Sequence, residues 1–172
     1  MITALDHIHL YAAEPEQTIR FYLDCFGAER MGTLPNRGGT GNHFLLLGGQ
    51  VLIVSAFPPG MAAAPPPEVG DGALRAGFGV AHFGLQTSDL DAVVARLRDR
   101  GAHVHDEPFQ NGAIRFVYAS APDGVVLEIV ELVLPEKLRR LKRVFNAYNK
   151  LVHVTKRAFV SQLFKGGAGE RT

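Results

Sequence analysis

The 172-residue sequence predicts an α+β protein: two tandem modules, each a strand, a helix and further strands, followed by a basic amphipathic helix. Three observations predict it. An internal duplication runs at an offset of 75 residues, matching His7 to His82 and Leu10 to Leu85, with a helix in each half that stops at glycine. Within each half the apolar period switches from two, to helical spacing, and back to two. Charge is also segregated. Residues 1–135 hold eight Arg, no Lys and fifteen acids, a net −7, whereas residues 136–172 hold ten Lys or Arg and two Glu, a net +8.

The elements follow in order. Residues 4–11 alternate as a strand, with Leu5, His7, His9 and Tyr11 on one face. Glu14-Pro15-Glu16 opens a helix, because proline is tolerated in the first turn and acids suit the positive helix end. Ile19, Tyr22, Leu23 and Phe26 form its apolar stripe, and Gly27 stops it. Residues 42–48 and 50–56 read as a hairpin around Gly48-Gly49. Residues 58–78, rich in Pro, Ala and Gly, read as a linker between a first module at 1–57 and a second at 79–133. In the second module, residues 80–85 form a strand. Ser88 or Asp89 caps a helix with Leu90, Val93, Val94 and Leu97 inside, ended by Gly101. Residues 114–120 and 125–132 are strands joined by Ala121-Pro122-Asp123-Gly124, whose residues suit a tight turn.

Composition narrows the function. A single cysteine, Cys25, excludes an intrachain disulfide and a cysteine zinc cluster, and reads as a buried apolar residue. The N-terminus has no basic or apolar leader pattern, and no apolar run is long enough to span a bilayer, so the expected location is cytoplasmic. Gly38-Gly39-Thr40-Gly41 is too short for a phosphate loop and reads as a flexible connection.

The chemistry rests on His7, His82 and Glu128. The two histidines hold equivalent positions in the repeats. Glu128 lies amid Val125, Val126, Leu127, Ile129 and Val130. A carboxylate buried there without a partner costs several kcal/mol, which a cation removes. Two imidazoles and one carboxylate suit Fe(II), Mn(II), Zn(II) or Co(II). His9 shares the face of His7 and is a candidate acid/base or substrate contact. His43, at a strand start, is a candidate for the same cleft. Arg115 and Glu131 are expected at the surface.

Leu5-Asp6-His7-Ile8, Phe21-Tyr22-Leu23-Asp24-Cys25-Phe26-Gly27, Ala81-His82-Phe83 and the run from Ala121 to Glu128 resemble, in this order, the vicinal oxygen chelate superfamily. That group includes glyoxalase I, methylmalonyl-CoA epimerase, extradiol dioxygenases and the fosfomycin and bleomycin resistance proteins. The resemblance covers residues 3–133. It implies paired βαβββ modules forming an open, incomplete barrel around one metal held by His7, His82 and Glu128. The family's fourth ligand, Glu or Gln in glyoxalase I and the epimerase, falls on Ile53, which binds no metal. What remains is a 2-His-1-carboxylate set with open positions, the arrangement of non-haem Fe(II) oxygenases. The extradiol signature also places a tyrosine ten residues before the metal glutamate, as Tyr118 stands before Glu128. Its histidine has no counterpart near Phe109–Asn111.

The expected function is therefore metal-dependent chemistry on a small oxygenated substrate, of dioxygenase type with Fe(II). The alternatives are a lyase or epimerase, for which Ni(II) or Zn(II) is diagnostic, and a metal-free antibiotic-sequestering protein. The expected assembly is a homodimer. Residues 135–165 are expected to form one helix with Leu138, Leu141, Phe145, Tyr148, Val152 and Phe159 at three–four spacing and Lys or Arg elsewhere. Its apolar stripe requires a cover: the acidic body of this chain or a partner subunit, or an anionic membrane surface. Nucleic acid is not expected, since no recognition fold accompanies the charge.

Overall fold

A computed structural model describes residues 5–36, 39–61 and 79–165. Most of the predicted linker, the end of the tail, Ala4 and Gly38 lie outside the described residues. The chain divides into two compact units, Met1–Ala63 with Ala147–Thr172, and Ala64–Asn146.

The first unit is a βαβββ module. Strand β1 (His7–Tyr11) is followed by helix α1 (Pro15–Phe26), then strands β2 (Glu29–Leu34), β3 (Asn42–Leu47) and β4 (Gln50–Ser55). The sheet order is β1-β4-β3-β2, with β1 parallel to β4 and the other pairs antiparallel. Helix α1 starts on Pro15 and ends at Gly27, whose φ of 68° is the left-handed stop its position predicts. The β3–β4 hairpin turns on Gly48 and Gly49, with φ of 57° and 83°, the pair of positive angles a tight two-residue turn requires. Ile19, Tyr22 and Cys25 of α1 and Leu45, Leu46, Leu52 and Val54 of the sheet are buried.

The second unit repeats the module: β5 (Phe83–Thr87), α2 (Leu90–Asp99), β6 (Phe109–Asn111), β7 (Ile114–Ser120) and β8 (Val126–Leu132), in the order β5-β8-β7-β6. Asp89, not Ser88, caps α2, its carboxylate accepting from the Ala92 N–H at 3.0 Å. Leu90, Val94, Leu97, Val117, Leu127 and Ile129 are buried. Neither four-stranded sheet closes on itself, as modules of an open barrel require.

Three sequence expectations change. Strands β2 and β6 escape the period analysis, because β2 carries Gly32 and a register shift and β6 is only three residues long. Strand β5 begins at Phe83, so His82 stands just before the ladder. Glu131 is not solvated. Its side chain is 15% exposed, accepts from the Leu90 N–H at the start of α2, and faces Lys142 at 3.4 Å and Arg115 at 3.6 Å.

Helix α3 (Arg139–Lys165) carries the tail. Its second half docks on the first sheet. His153 accepts from the Gly49 N–H at Nδ1 (3.1 Å), and its Nε2 lies 2.9 Å from Glu29. Arg157 pairs with the same carboxylate. Val160 is buried, and Phe164 packs edge-on against Phe44 and over Gly32. Gly32 pairs with Phe44, Phe44 with Ile53, and Ile53 with His9, so these residues share one face across the sheet. The helix therefore covers part of the face that carries His9.

Candidate functional site

In the second unit the cross-strand register assembles the site. Glu128 on β8 pairs with Tyr118 on β7 and with Gly84 on β5. The ten-residue separation of Tyr118 and Glu128 thus spans one turn and places them side by side. Gly84 leaves open the lane beside the carboxylate, into which His82 reaches from the start of β5. Its Nε2 lies 3.2 Å from Glu128 Oε2, the two side chains being 33% and 22% exposed. The Tyr118 ring stands edge-on to that of His82, 5.4 Å between centroids. Its phenol is held above its ordinary pKa, first by burial and then by the charge and hydrogen bond of Glu128. The phenol therefore carries its proton throughout the neutral range.

In the first unit, His7 and His9 project from one face of β1, with ring centroids 6.4 Å apart. His7 Nδ1 is hydrogen-bonded to Asp6 Oδ2 at 2.8 Å, and that bond holds the Asp6 carboxyl below its usual range. A carboxylate on Nδ1 leaves Nε2 as the lone-pair nitrogen, the tautomer a metal-ligating histidine uses. His9 Nε2 is hydrogen-bonded to the buried Ser55 hydroxyl at 2.8 Å. Burial, and then His7, hold the His9 imidazole below its usual pKa, so it is neutral at physiological pH.

His9 and Ser55 open into a cavity of about 400 Å³, which Tyr11, Asn36 and Asn42 also line. Tyr11, which lines this corner, is itself stacked on Phe57, 4.8 Å between centroids. His43 does not line it. It pairs with Val54 and Thr33, one residue out of phase with Phe44, so it faces the opposite side of the sheet, hydrogen-bonded to Thr33 at 2.9 Å. Arg115 is engaged as a fork with Asp91, at 2.6 and 3.0 Å.

Of the predicted metal ligands, His82 and Glu128 stand together, and His7 belongs to the other unit. Among the described residues no three His, Cys, Asp or Glu side chains form a metal-sized cluster. The donor chemistry nonetheless fits a divalent ion. One imidazole and one carboxylate converge in a half-buried place within the second unit. Sequence reasoning missed Ser55, Asn36 and Asn42. The signal for Ser55 was parity, since it lies two residues beyond Ile53 and so on the same face of the strand.

Comparison with known proteins bears on this geometry. The family model for the Glyoxalase/Bleomycin resistance protein/Dioxygenase superfamily matches residues 4–129. A protein of Brassica oleracea var. gemmifera, provisionally named a lactoylglutathione lyase, is 26% identical over 129 residues, 73% of this chain. The aligned stretch is 43% of that relative, so the chain spans less than half its length. Among solved structures, the fosfomycin resistance protein FosX of Listeria monocytogenes superposes with a TM-score of 0.57 and 19% identity, over 78% of this chain and 97% of that one. A glyoxylase/bleomycin resistance protein/dioxygenase domain from Frankia sp. EAN1pec reaches 0.61 at 17% identity, over 77% and 93%. TnmS3, an antibiotic binding protein from Streptomyces sp. CB03234, reaches 0.57 at 25% identity, over 76% and 97%.

Proposed function

The chain belongs to the Glyoxalase/Bleomycin resistance protein/Dioxygenase superfamily, and from that premise we propose that it is a divalent-metal-dependent enzyme acting on a small oxygenated molecule. In this reading His7, His82 and Glu128 are the ligands, and Tyr118 and His9 handle protons. The observation that carries it is the convergence of His82, Glu128 and a proton-bearing Tyr118 across three adjacent strands. In support of a divalent ion, a mutant of FosX was solved in complex with Mn(II) and 1S,2S-dihydroxypropylphosphonic acid.

When bound, the ion supplies a Lewis acid for chelated substrate oxygens and, as Fe(II), a centre for O₂ chemistry. Glu128 contributes the negative charge. Tyr118 Oη holds a proton it can donate toward an oxygen at the same place. Neutral His9 presents an imidazole steadied by Ser55 at the edge of the cavity. Ile53 supplies no ligand, so more coordination positions stay open for substrate than in a four-ligand site. That favours dioxygenase-type chemistry with Fe(II) over lyase or epimerase chemistry, which the name of the Brassica relative suggests. His43 has no part in this mechanism. Pairing of modules between two copies would make the working form a homodimer, read by light scattering on a sizing column.

The test is elemental analysis of the purified chain, then anaerobic Fe(II) reconstitution with oxygen uptake measured on a catechol panel. His82→Ala and Glu128→Ala should each weaken metal binding by about tenfold or more. Metal affinity unchanged in both variants would sink the assignment. A second reading, sequestration of a flat antibiotic without a metal, draws on Tyr11, an aromatic ring in the cavity lining, and on the likeness to TnmS3. A chain that takes up no metal and yet binds aromatic antibiotics would favour it.

A further inference from the structure

Helix α3 has a second face that is largely exposed, with Val152 on it packed against Gly49 of the first sheet. The docked residues His153, Arg157, Val160 and Phe164 fill one narrow arc of the helix. Centred roughly 150° round the helix from them, Leu141, Phe145, Tyr148, Leu151, Phe159 and Leu163 fall within an arc of about 120°. All six are exposed, Tyr148 at 61% and Phe159 at 69%. Among the described residues, eight of the sixteen exposed large hydrophobics lie on this helix, and the remainder are scattered over other segments. With 27 residues α3 is about 40 Å long, and within the first unit Tyr148, Leu151, Phe159 and Leu163 spread along this face, with Thr155 and Gln162 between them.

Charge selects the occupant. The helix has eight Lys or Arg and no Asp or Glu. Lys156, half-buried and acting on the Asp6 carboxylate, borders the strip on one side and exposed Arg140 on the other, with exposed Arg143 and Lys150 further round. Face-to-face pairing of two α3 helices would double this positive charge with no acidic partner, where a coiled coil needs complementary flanks. Nor do the scattered apolar residues of the remaining chain offer a second copy a matching strip. An apolar strip bordered by cations fits an anionic lipid surface, where the strip enters the headgroup boundary and the flanking charges meet lipid phosphates.

We propose that α3, while docked on the first sheet, attaches the protein to anionic membrane surfaces through this strip. The attachment is independent of the metal chemistry. The experiment is co-sedimentation of the full chain with phosphatidylcholine vesicles, with and without phosphatidylglycerol. Partition should be about tenfold or more stronger on the anionic vesicles. It should weaken as salt rises from about 0.1 to about 1 M, which shortens the Debye length from roughly 10 to roughly 3 Å. The double variant Tyr148→Gln, Phe159→Gln should lose partition while keeping the wild-type thermal midpoint. Failure to sediment with either vesicle, or equal sedimentation with both, overturns the proposal on the wild-type chain alone. So does a concentration-dependent dimer that the double variant dissociates, since a second copy would then own the face.

Discussion

Tyr118 shows how one side chain acquires a role from its neighbours. Its phenol sits across the ladder from Glu128 and edge-on to His82, and burial beside that carboxylate keeps it protonated. Tyr118→Phe keeps the ring and removes the proton. On the proposed mechanism turnover should fall by about a hundredfold or more, with metal affinity changed by no more than a few-fold. Equal losses in both would make the tyrosine a structural support. Ser55 works differently. It is buried at the end of β4 and satisfies His9 Nε2. Ser55→Ala should cost about 1 kcal/mol in urea unfolding, because the hydrogen bond made by the buried hydroxyl is lost. A stability loss within error would mean that His9 finds water instead.

Among the elements, α3 is held on the first sheet by contacts that can be loosened separately. Glu29 accepts from both Arg157 and His153, and these bonds, Arg157 first, depress its pKa. A depressed carboxylate contributes its stabilisation above its ordinary range and loses it as pH falls through the folded-state value. Amide protection across the second half of α3, taken relative to the intrinsic exchange rate at each pH, should therefore fall selectively on acidification below the ordinary glutamate range. Glu29→Gln should remove that step, and an unchanged acid profile in the variant would assign it elsewhere. Gly32 is the steric counterpart. A Cβ there would lie 2.2 Å from the Phe164 ring, so Gly32→Ala must push the ring off β2. A cost of about 1–3 kcal/mol is expected, largely absent in a Phe164→Ala background, as a double-mutant cycle would read.

On the scale of the whole molecule, two sheets of identical order carry one helix whose charge opposes that of everything before it. Since α3 lies on the same face as Phe44 and Ile53, deleting residues 139–172 should uncover an apolar surface. The truncated chain should bind a hydrophobic dye and lose about 3 kcal/mol or more of stability, the cost typical of emptying a site filled by Phe. Wild-type stability after truncation would mean that the helix docks without contributing.

The sequence alone determined the repeat, the α1 and α2 helices with their stops, the glycine hairpin, the basic helix and the pairing of Tyr118 with Glu128. These are local properties: period, caps and turn residues act over a few neighbours. Even the tyrosine–glutamate pair is local, because both lie equally far from one turn. Tertiary structure alone decided that β2 and β6 are strands, that His43 turns away from the cavity while Ser55 enters it, that Glu131 is tied to α2 and Lys142, and that α3 lies on the His9 face. Each of these depends on cross-strand register or on docking between residues far apart in the chain. A one-residue slip would send every side chain of a strand to the other face, and no local pattern encodes that choice.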